Sequence, residues 1–381
     1  MATEVQLAVA GSGKTREIVE RINAQPSGTT SLAVTYTLQG QDVIRSRLPN
    51  RLLSEHETMG WFSFLSRHIV RPYLPLKFPG INPRGLHPVY SQDDIPRGRS
   101  GWKYYYDDDH QPYSSRLATL AKLIIELTAG APIKRLERIY DYIYIDEFQD
   151  LGGNDLVVLE GLMNSKINVL LVGDVRQAVL ETSRSDRLNK DYRGVKIVDW
   201  FRKRQAAGQC HIVPNDVTNR FNQKIADFSD FIHDPKLSLP NTTSAFRETT
   251  GHDGVFLVDE QHADAYSASF EQRPTVLRYQ RSSRGVPDGE LLTFGMAKGI
   301  TRDRVIVYAT GPFRKLLKSR EVLASKSACG FYVAVTRARY SVAIVTTGAA
   351  KVFATLHPDF QGKITLWQPQ VPEEPDLFTL M

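Results

Sequence analysis

The sequence predicts an α/β fold of parallel sheets flanked by helices, and three features predict it. Residues 142–145 run Tyr-Ile-Tyr-Ile without alternation, as an inner strand covered on both faces does, and stop at Asp146-Glu147. A short apolar strand over 5–9 leads into the glycine-rich Ala10-Gly11-Ser12-Gly13-Lys14-Thr15 and then a helix over about 16–23. Between and beyond these, short apolar runs at 31–35 and 168–172 alternate with helical stretches, the pattern of βα units.

The totals bound the answer. At 381 residues the chain has room for two or three domains, and 41% hydrophobic with 24% charged residues is the composition of a globular protein. A net charge of +6 and a pI near 9.1 make nucleic acid a plausible partner. Cys210 and Cys329 are the only cysteines and lie far apart, which argues against a zinc ribbon, an iron–sulfur site or a disulfide framework. No run has the length of a membrane span or the pattern of a signal peptide, so no membrane partner and a cytoplasmic location are expected.

The glycine loop is the first chemical element. Its glycines let backbone N–H groups close round phosphates, and the following helix adds its dipole. Lys14 offers a point charge to the β- and γ-phosphates of a nucleoside triphosphate, and Thr15 a hydroxyl to magnesium. Ala8 replaces the usual first glycine of this pattern. Asp146 and Glu147 are the second element, at a strand's carboxyl end where ligands of open α/β sheets bind. One carboxylate suits a magnesium shell, the other the proton of an attacking water.

In chain order, 31–35 ends in Thr35-Tyr36-Thr37, and a helix rich in Arg and Gln runs to about 48. His56-Glu57-Thr58-Met59-Gly60-Trp61 leads into a basic helical stretch with Arg67, His68 and Arg71. Seven prolines between Pro72 and Pro112 mark an irregular insertion, in which Arg97, Arg99 and Lys103 interleave with Trp102 and Tyr104-Tyr105-Tyr106. That pattern suits either a single-strand track or a loop whose aromatics pack on the parent domain, and Asp107-Asp108-Asp109 counts against the track. A helix over 115–129 places Leu117, Leu120, Ala121, Ile124, Leu127 and Thr128 on one face, with Ser114 or Ser115 as its cap and Gly130 as its end. A helix at 154–163 and a strand at 168–172 follow, ending Gly173-Asp174-Val175-Arg176-Gln177. The Gln177 amide suits sensing a γ-phosphate.

These elements resemble, in order, the motifs of superfamily 1 helicases of the UvrD/Rep/PcrA type. The second half continues the series. Thr218-Asn219-Arg220 resembles the fourth motif, Leu292 to Gly299 the fifth, and Phe331-Tyr332-Val333-Ala334-Val335-Thr336-Arg337-Ala338-Arg339 the sixth. The resemblance implies two RecA-like P-loop NTPase domains: 1–204, with an insertion at about 50–135, and 205–363, followed by a tail at 364–381. The polar, Arg-rich stretch 183–209 would lead into the second. Strands are expected at 255–258, 276–279, 291–294, 304–308 and 342–345.

The resemblance further implies an ATP-dependent helicase or translocase moving 3′ to 5′ on single-stranded DNA. Ala10 to Thr15, Lys298 and Gly299 would bind nucleotide, and Thr15 and Asp146 the metal. Asp146, Glu147, Gln177, Arg220 and Arg337 would be catalytic, with Arg337 as an arginine finger, a device worth roughly 10³ to 10⁵ in rate. Thr35, Tyr36, Thr58 and Thr293 would meet the DNA.

The chain also departs from that family. It starts too near the phosphate loop to hold the upstream adenine-reading Gln, so Gln6 is not given that role. Leu180 and Thr182 stand where relatives carry aromatics. Lys298-Gly299-Ile300-Thr301 lacks the family's Glu, and only about seventy residues separate Arg220 from Thr293, where relatives insert a subdomain. These missing parts resemble compact helicase-like proteins encoded beside nucleases in bacterial antiviral defence, such as the Gabija subunit. The alternative function is therefore a DNA-stimulated ATPase that recruits or signals to a partner nuclease. The proline-rich acidic stretch 369–376 with Leu377-Phe378 is read either as a docking hook or as a tail folded on its own domain.

Overall fold

The computed structural model describes residues 3–49, 55–89, 94–179, 188–279, 287 and 289–369. The chain divides into two compact units, Met1–Val217 and Thr218–Met381. Each is an α/β unit built on a parallel six-stranded sheet.

The first unit opens with β1 (Thr3–Ala8), α1 (Lys14–Asn23), β2 (Ser31–Thr35), α2 (Leu38–Arg47) and β3 (His56–Gly60). α1 turns Ile18, Val19 and Ile22 towards the sheet, where they pack with Ala8, Ala33, Ile44, Leu170 and Val172. Burying each such aliphatic side chain stabilises the fold by about 1.5–3 kcal/mol. α2 starts at Thr37, whose side chain accepts from the Gly40 N–H at 3.0 Å. α3 (Trp61–Phe64) runs into a π-helical turn, Leu65–Val70. Trp61 Nε1 donates to Asp155 Oδ1 at 2.7 Å, tying this turn to a later helix across a buried contact.

α4 (Ser114–Leu127), α5 (Ala131–Leu136), β4 (Tyr142–Asp146), α6 (Asp155–Met163), β5 (Asn168–Gly173), α7 (Ile197–Ala206) and β6 (Cys210–Asn215) complete the unit. The strand order is β3-β2-β4-β5-β1-β6. β2, β4, β5 and β1 are consecutive neighbours and all parallel, so the loops at their carboxyl ends share one edge of the sheet.

In the second unit, β7 (Val217–Thr218) pairs with β8 (Thr243–Ser244) in a short ribbon around α8 (Gln223–Ser229). Then come β9 (Gly254–Asp259), α9 (Ala263–Ala268), β10 (Thr275–Arg278), β11 (Leu291–Thr293) and β12 (Arg302–Tyr308). α10 (Gly311–Ser319), α11 (Ser325–Val335), β13 (Ala338–Thr346), α12 (Ala349–Ala354) and β14 (Ile364–Leu366) close it. The order β11-β10-β12-β13-β9-β14 repeats that of the first sheet strand for strand, with β9 in the place of β1. At the end of β9 the Asp259 carboxylate accepts from the Ala349 N–H at 2.8 Å and the Gln261 N–H at 3.3 Å.

Several sequence expectations are corrected. β3 pairs with β2 throughout its length, so the insertion expected from about residue 50 begins only after Gly60. The polar composition of His56-Glu57-Thr58 hides a strand that lies at the sheet edge. The Arg-rich stretch 183–209 contains α7, which buries Trp200 and Phe201. β6 pairs with β1, so the division falls after Val217 and not after 204. β14 pairs with β9, so residues 364–366 belong to the second sheet and not to a tail. Leu127 is half exposed, at the frayed end of α4, and does not share the buried face of Leu117, Leu120 and Ile124. The Ser114 hydroxyl accepts from the Val89 N–H at 2.9 Å instead of capping α4.

Within the insertion the aromatics pack on neighbouring groups, with Tyr104 left exposed. Tyr106 and Tyr113 are buried, Tyr105 packs on Phe78 at 5.9 Å, and Arg116 lies 3.8 Å over Tyr104. Arg99 and Lys103 both pair with Asp108. The packed-loop reading describes this segment. Leu180, Thr182 and residues 370–381 lie outside the described residues. Cys210 and Cys329 are buried and are not joined in a disulfide. Among the described residues no helix is long and apolar enough to cross a membrane.

Candidate nucleotide site

Four sequence motifs meet on one edge of the first sheet. The glycine loop leaves β1, Asp146-Glu147 leaves β4, Asp174–Gln177 leaves β5 and Thr35-Tyr36 leaves β2. The register sets Asp146 beside Val172 and Leu7 beside Gly173, so the three central loops start at nearly the same height.

The glycine loop is shaped by two left-handed residues, Gly11 (φ 78°) and Gly13 (φ 87°), a region that side-chain-bearing residues disfavour. Gly13 is the N-cap of α1, and Lys14 and Thr15 form the helix's first turn. The Ser12 hydroxyl is buried with no hydrogen-bond partner among the described residues. A buried orphan hydroxyl in a loop of this shape is what a polyphosphate acceptor would satisfy.

Thr15 Oγ1 donates to Asp146 Oδ2 at 2.9 Å, joining the loop to the acidic strand end. Asp146 Oδ1 accepts from the Glu147 N–H at 2.9 Å. Burial, and then the neighbouring Glu147 carboxylate, push Asp146 up to about 6, against the pull of Lys14 and the Thr15 hydroxyl. Two carboxylates side by side, one of them buried, form a donor set that a divalent cation would neutralise. One carboxylate and one hydroxyl beside a phosphate site is also the sparse protein shell that Mg2+ takes. The residues present therefore fit the metal.

Glu147 sits in the left-handed region (φ 57°), where a non-glycine residue is strained. Its side chain is held by Gln149, whose Nε2 donates to Glu147 Oε2. Gln149 is 1% exposed and its Oε1 is a buried atom without a partner. The end of β5 closes over this pair. A Cβ on Gly173 would stand 2.4 Å from Gln149 Oε1 and 2.7 Å from the Phe148 ring. Gln177 is buried, and its Nε2 donates to Asp174 Oδ2 at 2.7 Å, while Asp174 Oδ1 caps the Arg176 N–H at 3.0 Å. Gln149, Gly173 and Asp174 are contributors that reading the sequence missed. Gln149 and Gly173 act through contacts between separate loops, and only the Asp-Glu-x-Gln spacing signals Gln149.

On the flank, Tyr36 is half-buried and packs against Phe62 at 5.8 Å. The Thr35 hydroxyl is buried and unpartnered, in space that Gly40 leaves open. Thr58 Oγ1 bonds with His56 Nε2 at 2.9 Å. Gln6 is buried in a network with Glu4, Glu17 and Asn215 beneath the loop, consistent with a structural role.

In the second unit the remaining motif residues gather around Arg337, which is 1% exposed. Its Nε donates to the Val333 carbonyl at 3.0 Å, and its Nη1 reaches the Ala297 and Ile300 carbonyls at 3.5 and 3.4 Å. Those two carbonyls bracket Lys298 and Gly299. Arg220 Nη1 reaches the Thr336 carbonyl at 3.4 Å. The fourth, fifth and sixth motifs are thus tied together by arginine–carbonyl contacts. Thr293 ends β11, and its Oγ1 accepts from the Met296 N–H at 3.4 Å. Among the described residues no group of three or more His, Cys, Asp or Glu is placed to hold a metal.

Comparison with known proteins matches one stretch to a family model. No curated protein matches the chain. Among solved structures, it is similar to an arterivirus nonstructural protein 10 helicase at 19% identity and a TM-score of 0.45, and to its complex with DNA at 15% and 0.43. These similarities cover 93% of this chain, which spans 62% and 63% of those chains. Residues 110–187, which carry the acidic strand end and the Gln177 loop, match the UvrD/REP helicase N-terminal domain.

Proposed function

We propose that this chain hydrolyses ATP to drive movement along single-stranded DNA. The observation that carries the reading is the continuous chain of contacts from Thr15 through Asp146 and Glu147 to Gln149, set beside a left-handed glycine loop. In this reading the backbone from Ala10 to Thr15 receives the phosphates and Lys14 neutralises them. Glu147 takes the proton of a water that attacks the γ-phosphorus, as the bond to the β-phosphate oxygen breaks. Mg2+, held by Thr15 and Asp146, would supply charge neutralisation on the phosphate oxygens. Gln177, kept in place by Asp174, is suited to report the γ-phosphate. Arg220 and Arg337 are assigned to the charge that develops on the transferred group. Lys298 and Gly299 are assigned to the nucleotide, and Thr35, Tyr36, Thr58 and Thr293 to the DNA strand.

Movement from 3′ to 5′ is the direction the motif resemblance favours. Between Arg220 and Thr293 the described residues form only elements of the second unit itself, and the subdomain relatives insert there has no counterpart among them. That favours a motor stimulated well by single strands and weak at separating duplex alone, with a partner, such as a nuclease of a defence system, supplying the missing contacts.

The test is ATP turnover without nucleic acid and with single-stranded DNA, duplex DNA or RNA. Glu147→Gln should retain ATP binding and lose at least about two orders of magnitude in turnover. Turnover indifferent to every nucleic acid, or undiminished in Glu147→Gln, would overturn the reading.

A further inference from the structure

β3 is the outermost strand of the first sheet, and its outer edge opens into a cavity of about 1230 Å³. That is larger than the roughly 300–1,000 Å³ of small-molecule pockets, and it follows the strand from His56 to Met59. α2 forms one wall through Gln41 and Arg45, and the helical turn after the strand forms the other through Phe62, Ser66 and Arg67.

The backbone of β3 is oriented to serve this groove. The Glu55 carbonyl accepts from the Ser31 N–H at 2.9 Å, and strand groups alternate sides from residue to residue. Glu57 and Met59 therefore face β2, while His56, Thr58 and Gly60 face the groove. Arg45 Nη2, which donates to the Thr58 carbonyl at 2.7 Å, shows the outward direction of that group. Among the described residues no strand pairs with this edge. An edge with no strand partner, its Thr58 carbonyl shared with Arg45, is the template for strand addition.

Charge selects the occupant. Arg45, Arg67 and Arg71 line the groove against a single acid, Glu57, which is already engaged by Arg67 and by the Tyr140 hydroxyl. A nucleic-acid backbone would satisfy the arginines but not the edge: its phosphates are acceptors only, whereas the outer edge offers carbonyls as well as N–H groups at strand spacing, a pattern that base donors do not repeat.

We propose that this groove binds an extended acidic peptide of a partner protein, which adds to β3 as an outer strand and sets its carboxylates against Arg45, Arg67 and Arg71. The inference does not depend on the nucleotide reading, and it uses the main chain of Thr58, whereas the DNA assignment above concerns its hydroxyl.

The probe is an array of fluorescent heptapeptides alternating Glu with Val or Thr, read by anisotropy with the full chain. Glu-to-Lys counterparts and the variant Arg71→Glu should each bind at least about tenfold more weakly. N-methylation of one alternate set of peptide residues should abolish binding while methylation of the other set spares it, because only every second residue bonds the edge. Equal binding of both methylated sets refutes strand addition. Absence of any binder tighter than about 1 mM refutes the site. If oligo(dT) displaces the peptides and Arg71→Glu weakens the oligonucleotide instead, the groove is a nucleic-acid channel and the proposal is wrong.

Discussion

Gly173→Ala tests whether Gln149 holds the proposed base in place. Gly173 is the last residue of β5, and its backbone is not in the left-handed region, so the added methyl acts by volume alone. At 2.4 Å from Gln149 Oε1 and 2.7 Å from Phe148 Cδ1, it is far inside the 3.4 Å of ordinary contact. Phe148 is wedged against Phe201 at 4.8 Å and has little room to retreat. Gln149 must therefore move by about 1 Å and take Glu147 with it, and a displacement of that size at a reacting group costs about 10²-fold in rate. Overpacking should also destabilise the unit by about 1–3 kcal/mol. The assay pairs ATP turnover with equilibrium binding of a fluorescent ATP analogue and a thermal melt. Turnover should fall by one to two orders of magnitude, roughly, while affinity holds, because the glycine loop is untouched. Turnover within about twofold of wild type would show that Gln149 does not position Glu147. Parallel loss of binding and turnover would place the fault in general unfolding.

Three further outcomes are expected. His56 and His68 are held at about 4 by burial, so the unfolded chain takes up protons between about pH 6.5 and 4 that the folded chain refuses. Stability should be full above about pH 6.5 and decline towards pH 4 by a few kcal/mol, and His68→Phe should flatten that slope in urea titrations; an unchanged slope refutes the assignment. Trp61→Phe removes the buried donor to Asp155 and should cost about 1–3 kcal/mol in denaturant unfolding, a prediction that a shift below about 0.5 kcal/mol would defeat. Tyr36→Ala should weaken single-stranded DNA binding by about 1–3 kcal/mol and leave basal turnover intact. Unchanged affinity with a lowered melting temperature would instead make Tyr36 a packing residue for Phe62.

Much of this was legible in the chain because the signal is contiguous. Residues 31–35 and 142–145 are apolar on both faces and declare themselves as inner strands, and the glycine loop is read directly from six adjacent residues. The edge strands of the first sheet were not legible. β3 is His-Glu-Thr-Met-Gly and β6 carries alternating partial exposure and Pro214, because an outer strand is covered on fewer sides and tolerates polar residues. α7 was masked by its arginines, although Trp200 and Phe201 sit on its buried face. In the candidate site, the groups proposed to do chemistry were named from their types. The groups that place them could not: Gln149 and Gly173 acquire meaning only when the ends of β4 and β5 are brought together, and Asp174 only when its loop folds back on Gln177.

The second sheet repeats the first, yet the corner that β1 is proposed to open to a phosphate is closed in its counterpart. Where the glycine loop would follow β9, the Asp259 carboxylate occupies the backbone N–H groups of Gln261 and Ala349. An anion that belongs to the chain fills the place of one that would arrive from solution, and its charge repels a second. The doubled architecture is therefore single in its stoichiometry: a calorimetric titration with nucleotide should reach its end point at one equivalent per chain.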